Sequence, residues 1–319
     1  MIEWRFRPDD VARIRLAYSP LWEIVLSLIA LRAPADHALH LPWVRWARFR
    51  LAGLDLSEVF ALVPVHGTVA DFLTPPPTSL LAEAAEELEV VRRTEPDRVV
   101  NDIAEVPDVS PAVRGRIVAD PAAAAARLAD TLHAYWQLVL APHWPRMRAL
   151  LDADVLWRAR RLADGGAQLL FADLHETLTW HGDRLTAEGR CDYAGDLSGT
   201  GLLLAPSAMA WPVVRTMLEP YQPTVIYPAR AVGTLWETGR PSTGDALSGL
   251  LGRSRAALLL ALSEPASTTA MARRLELTPG GVSQHLSVLL ANGLVTRARV
   301  GGSVLYHRTS RGDSLVGEG

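Results

Sequence analysis

The chain has 319 residues, enough for two ordinary domains, and its 49% hydrophobic and 21% charged content excludes a disordered or fibrous protein. All 32 basic residues are arginine, which, beside abundant alanine, glycine and proline, reads as coding bias rather than chemistry. The single cysteine, Cys191, excludes an internal disulfide framework and any multi-cysteine metal site. The opening "MIEWRFRPDD" is charged and lacks the apolar core of a signal peptide. The longest apolar run, Ile24–Leu31, is too short to cross a bilayer, so the expectation is a cytoplasmic protein without membrane contact.

In chain order, Ile2–Phe6 has the pattern of a short strand. Ser19–Arg32 predicts a helix, with Ser19 as cap and Pro20 in the first turn. Leu39–Gly53 predicts a helix rich in Trp and Arg, and the proline run at Thr74–Thr78 is a break. Ser79–Arg93 predicts an acidic amphipathic helix capped by Ser79. Asp120–Gly166 is strongly helical, interrupted near Pro142 and Pro145 and closed by a glycine pair. From Ala167 to Trp236 the segments are short, alternating and rich in turn residues, which predicts one small sheet. Glu237–Asp245 is polar and rich in Gly and Pro, a linker composition. The fold class expected is therefore α+β. Residues 1–240 form an N-terminal domain, helical to about 166 and sheet-rich over 167–236. Residues 245–319 form a second domain.

From Leu250 onward eight arginines stand against four acidic residues, in a chain whose net charge is −3. A basic tail on an acidic body points to a polyanion met by the tail alone. Asp245–Ala266 predicts one helix ended by Pro265, and Ser267–Leu277 a second, short one capped by a Thr. Thr278 followed by Pro279 is a cap and first-turn pair. The helix it opens runs to Ala291 or Asn292 and exits at Gly293. Val282, Leu286, Leu289 and Leu290 fall at i, i+4, i+7 and i+8, one buried stripe. Gly280, Ser283, Gln284 and Ser287 point the other way, small or hydrogen-bonding and free of bulky charge. Such a face fits a DNA major groove, where Gln pairs with an adenine edge and Ser reaches a base or a phosphate. His285 lies on the flank, suited to a phosphate or packing contact. "LVTRARV", Gly301-Gly302 and "SVLYHRT" form a hairpin pattern. Arg297 and Arg299 share one face of its first strand and Arg308 lies on the second, placed to grip phosphates or enter the minor groove.

The stretch "TTAMARRLELTPGGVSQHLSVLLANGLVTRARVGGSVLYHRT" resembles the ArsR-type winged helix-turn-helix regulators of bacteria. The resemblance rests on the short Ala/Leu helix, "VSQHLSVL", "GLV" and the glycine hairpin ending in a Tyr strand. It implies a homodimeric transcriptional repressor that leaves a double-stranded DNA operator when an effector binds. DNA contacts are then expected from Thr278, Ser283, Gln284, His285, Ser287, Arg297, Arg299 and Arg308. Two departures speak against metal sensing. "TTAMARRL" has no cysteine pair, and the chain is expected to stop after the wing, without the later ligand-bearing helix. "SPLWE" and "YPARAVGTLWE" resemble an uncharacterised domain that precedes ArsR-type heads in actinobacterial regulators, which brings no ligand with it.

All ten tryptophans and seven of the nine histidines precede the tail. The tryptophans could line a small-molecule effector pocket or simply pack the core. His37 with His40, or His175 with His181, could supply metal ligands, but neither pair has a compact third and fourth partner. No metal or cofactor is therefore expected, and the effector site is not assigned. Nothing near Cys191 signals a lowered pKa. "GDLSGTG" has the wrong spacing for a nucleophile elbow, and there is no P-loop or dinucleotide fingerprint, so the expectation is not an enzyme. An unrecognised enzyme, or a winged helix used for protein docking or dimerisation, are the alternatives.

Overall fold

The computed structural model describes residues 1–77, 79–80, 82–188, 192–236, 243–275, 277–300 and 303–316, in two units, Met1–Trp236 and Glu237–Gly319. The architecture is mixed α+β, with a winged helix-turn-helix at the C-terminal end. Cys191, Gly301-Gly302 and the linker positions 237–242 lie outside the described residues.

The large unit begins with β1 (Ile2–Arg5), α1 (Pro8–Ala12), β2 (Arg15–Leu16) and α2 (Pro20–Arg32). Every residue of α2 except Arg32 is buried, as a helix apolar on all sides requires. Ser19 caps it, accepting from the Trp22 N–H. Next come α3 (Leu41–Arg50), α4 (Ser57–Leu62), α5 (Ala84–Arg92), α6 (Pro96–Ala104), α7 (Pro111–Ala119), α8 (Pro121–Val139) and α9 (Trp144–Phe171), and α8 is the helix on which α2 to α7 all pack. Leu128, Leu132, Tyr135 and Val139 of α8 join Leu21, Ile24, Leu28 and Ile29 of α2 in one core. Two expectations shift. Helix α5 starts at Ala84 rather than Ser79, because its buried stripe of Ala84, Leu88 and Val91 begins only there, while Leu80 is exposed. The glycine pair interrupts α9 without closing it. Gly166, at φ 61, takes a left-handed conformation that a side chain disfavours, and the helix resumes to Phe171.

Six strands follow: β3 (Leu178–His181), β4 (Arg184–Ala187), β5 (Tyr193–Asp196), β6 (Leu203–Ser207), β7 (Arg215–Met217) and β8 (Thr224–Pro228). They make two sheets, not the single one expected, and each takes a strand from the start of the chain. One has the order β3-β4-β1-β5, with β1 antiparallel to β4 and parallel to β5. The other has the order β2-β6-β8-β7, with β2, β6 and β8 parallel and β7 reversed. Strand β6 is buried throughout and β8 nearly so, so "LLLAPS" and "TVIYP" are apolar runs and not the alternation expected of this region.

Buried polar groups tie these layers together. The Glu23 carboxylate on α2 accepts the N–H groups of Ala208 and Met209 just beyond β6. Asp10 accepts from Gly199 and Gly201. Asp154 of α9 accepts from the Tyr227 hydroxyl and the Arg230 N–H. A paired buried acid costs far less than an isolated one.

The second unit holds α10 (Thr243–Leu251), α11 (Arg253–Ala261), β9 (Ala266–Ser267), α12 (Thr268–Arg274), α13 (Pro279–Ala291), β10 (Val295–Val300), β11 (Ser303–Arg308) and α14 (Ser310–Val316). The expected helix over 245–266 is two helices. Gly252, at φ 82, breaks it, and the second ends before Pro265. Ser267, not a threonine, caps α12. The chain does not stop at the wing. Thr309 accepts from the Gly312 N–H and opens α14, whose Val316 is buried with Leu247 and Leu258.

Candidate nucleic-acid interface

Helix α13 forms because Thr278 Oγ1 accepts the Gly281 N–H at 3.2 Å while Pro279 fills the first position. Burial of Val282, Leu286 and Leu289 against Leu258, Leu259, Met271 and Val295 fixes its rotation. Fixing one face inward fixes the other outward. Ser283, Gln284 and Ser287 are all exposed, and His285 is half-buried on the flank.

The two serines differ in what they can offer. Ser287 Oγ donates to the Ser283 carbonyl at 2.8 Å, so its proton is spent inside the helix and its lone pairs remain for a donor. Thr278 is the reverse: its oxygen accepts the capping bond, which leaves its proton for an anion. Val288 was not anticipated. It is 37% exposed, one turn beyond Gln284, and supplies an apolar contact on the same side. The i, i+4 spacing from Gln284 was the available signal.

Strands β10 and β11 pair antiparallel, with Arg297 opposite Tyr306, Arg299 opposite Val304 and Val295 opposite Arg308. Directly opposite residues share a face, so the three arginines lie on one side of the hairpin. Their depths differ. Val295, at the root, is 1% exposed, and Arg308 across from it has only 6% of its side chain exposed. Arg308 Nε sits 2.8 Å from Asp313 Oδ1 of α14. Arg297 and Arg299, further out, are exposed. Arg308 thus has little side-chain surface to offer a phosphate, because the root of the hairpin is packed against the core and its charge is met by Asp313.

Residues 250–298 match a family model described as a helix-turn-helix domain. The match covers α11 to α13 and most of β10, the segment that carries the exposed face just described. No curated protein and no solved structure matches the chain.

The large unit sorts its tryptophans and histidines differently from a single lined pocket. Trp4, Trp22, Trp43, Trp136 and Trp236 are buried. Trp236 Nε1 donates to His40 Nδ1 at 2.9 Å, and its ring stacks on Trp43 at 5.9 Å. Burial, then the neighbouring His37, hold His40 down at about 4. The His37 and His40 rings lie 6.5 Å apart, and His175 contacts Thr177 and the Pro212 carbonyl instead of His181. Among the described residues no three His, Cys, Asp or Glu side chains gather as a metal site, and no helix is long and apolar enough to cross a membrane.

Proposed function

We propose that the protein is a DNA-binding transcriptional regulator that acts as a homodimeric repressor, without catalytic activity, in the cytoplasm. The observation that carries the reading is the outward face of α13: Ser283, Gln284, Ser287 and Val288, exposed together and free of charge, in the same unit as the exposed Arg297 and Arg299. On this reading α13 enters the major groove. Gln284 pairs with an adenine edge, Ser287 accepts from an exocyclic amino group, and Val288 meets a thymine methyl. Thr278 donates to a phosphate at the start of the helix, His285 stands at its flank, and Arg297 and Arg299 hold the backbone. Two copies related by a two-fold axis read two half-sites. The large unit carries the effector.

The test is an electrophoretic shift with DNA from upstream of the protein's own gene, against excess random DNA. A competitor-resistant complex supports the reading. Equal loss to random DNA across neighbouring promoters overturns sequence-specific regulation.

A further inference from the structure

A cavity of about 830 Å³ opens on the large unit, within the range that holds a drug-sized molecule. Four segments meet there: the loop at Phe72 and Pro75, the outer side of α5 at Val90, the start of α6 at Arg98, and the turn before β8 at Tyr221. Most of its wall is apolar. Val90 leaves 51% of its surface to solvent on a helix whose other face is core. None of the ten tryptophans lines it.

Of the charged side chains that line the site, Glu89, Arg93 and Arg98 hold ion pairs and Glu86 holds none among the described residues. Glu89 bridges Arg92 at 3.3 Å and Arg93 at 2.6 Å. Arg98 Nε donates to the Tyr221 hydroxyl at 2.9 Å and lies 3.6 Å from Asp102 Oδ1. The Tyr221 hydroxyl donates in turn to Asp102 Oδ2 at 2.7 Å. This network lays the Arg98 guanidinium over the Tyr221 ring at 4.1 Å from its centre. The two terminal nitrogens of Arg98 have no protein acceptor among the described residues. An anionic ligand at Arg98 would be placed beside the carboxylates of Asp102, Glu86 and Glu89, and a cationic one beside Arg93 and Arg98, so either charge meets its like as well as its opposite. An uncharged oxygen faces no such cost, and a neutral acceptor satisfies the free donors.

We propose that this cavity binds an uncharged, mainly apolar aromatic molecule carrying a ketone or amide oxygen. The rings lie against Phe72, Val90 and the flat guanidinium on Tyr221, and the oxygen accepts from the Arg98 terminal nitrogens. The site deepens the regulator reading by giving its effector a seat, and it rests on that reading only for an effect at DNA.

The probe is 6-propionyl-2-(dimethylamino)naphthalene, an uncharged naphthalene ketone whose emission moves to the blue on leaving water. Full-length protein should give a saturable blue shift. Val90→Trp, which fills the cavity, and Val90→Glu, which places a charge on its wall, should each weaken binding by about tenfold or more. Val90 is half exposed, so both variants should keep the parental melting temperature. Anilinonaphthalene sulfonate, with similar rings and a fixed negative charge, should bind about tenfold more weakly than the ketone. No saturable shift, a shift indifferent to both substitutions, or tighter binding of the sulfonate overturns the site. Operator affinity is measured with and without the ketone. Binding that obeys the Val90 variants but leaves DNA affinity unchanged upholds the site and removes its role as effector seat.

Discussion

Arg308 and Asp313 form an ion pair of 2.8 Å that fastens the root of the wing to the last helix. It divides three arginines that share one strand face into two kinds. Arg299→Ala should lower affinity for operator and random DNA alike and reduce the salt slope by about 0.9. Arg308→Ala should leave that slope unchanged and cost the second unit about 1–3 kcal/mol of stability. Salt titrations of DNA binding, with urea melts of the same variants, separate the two. A slope change in Arg308→Ala would return it to the DNA surface.

Gln284 projects from the uncharged face of α13 and makes no side-chain hydrogen bond among the described residues. Gln284→Ala should keep the fold and lose about 1–3 kcal/mol of discrimination at one or two base pairs. Competition against operators substituted one pair at a time reads this directly. Equal losses on operator and random DNA would remove Gln284 as a base reader.

Glu87 caps α2 from another helix: one carboxylate oxygen accepts from the Ser19 hydroxyl and the Leu21 N–H. Burial pushes it up to about 7 from an ordinary 4.5. The folded state therefore holds the proton more tightly than the unfolded chain. Its contribution is full below about 4.5 and is lost as pH rises toward 7. Glu87→Gln keeps an acceptor for both bonds and has no charge to bury. It should be more stable than the parent at pH 8, by something on the order of 2–3 kcal/mol, and equal to it near pH 4. Thermal melts across that range decide; a constant difference would mean that Glu87 stays ionised in its buried site.

His40 tilts the same curve the other way. Its folded value, about 4, lies below the ordinary 6.5, so its contribution is full above 6.5 and is lost as pH falls through 4. His40→Asn can still accept the Trp236 N–H and has no proton to gain. It should flatten the acid limb of the stability curve. An unaltered acid limb would show that His40 is already charged in the folded protein.

What could be read in advance was local. Thr278-Pro279 and Ser19-Pro20 state their helix starts within a few residues. The Val282, Leu286, Leu289 stripe fixes the rotation of α13 and with it the outward placement of Ser283, Gln284 and Ser287. What could not be read depends on partners distant in sequence or on patterns too short to show. The depth of Arg308 follows from Val295 across the hairpin and Asp313 in a seven-residue helix with Gly312 inside it. Helices α6 and α7 begin at prolines, yet Val99, Ile103 and Ile117 are too few buried positions to draw a stripe. The second sheet was hidden because "RL" at Arg15–Leu16 is too brief to suggest a strand without β6 beside it. The cavity beside Tyr221 is assembled from four separated segments, and no one of them announces it.

Strand β1 has a consequence for how the protein comes into being. Ile2–Arg5 is an inner strand, flanked by Arg184–Ala187 and Tyr193–Asp196. Ile2–Arg5 thus has no sheet partner during synthesis until Arg184–Ala187 and Tyr193–Asp196 have followed. Pairings of such long sequence separation close slowly. The large unit cannot mature from its beginning onward, and a nascent chain waits with Trp4 and Phe6, both buried at the end, still exposed to whatever binds apolar segments during synthesis.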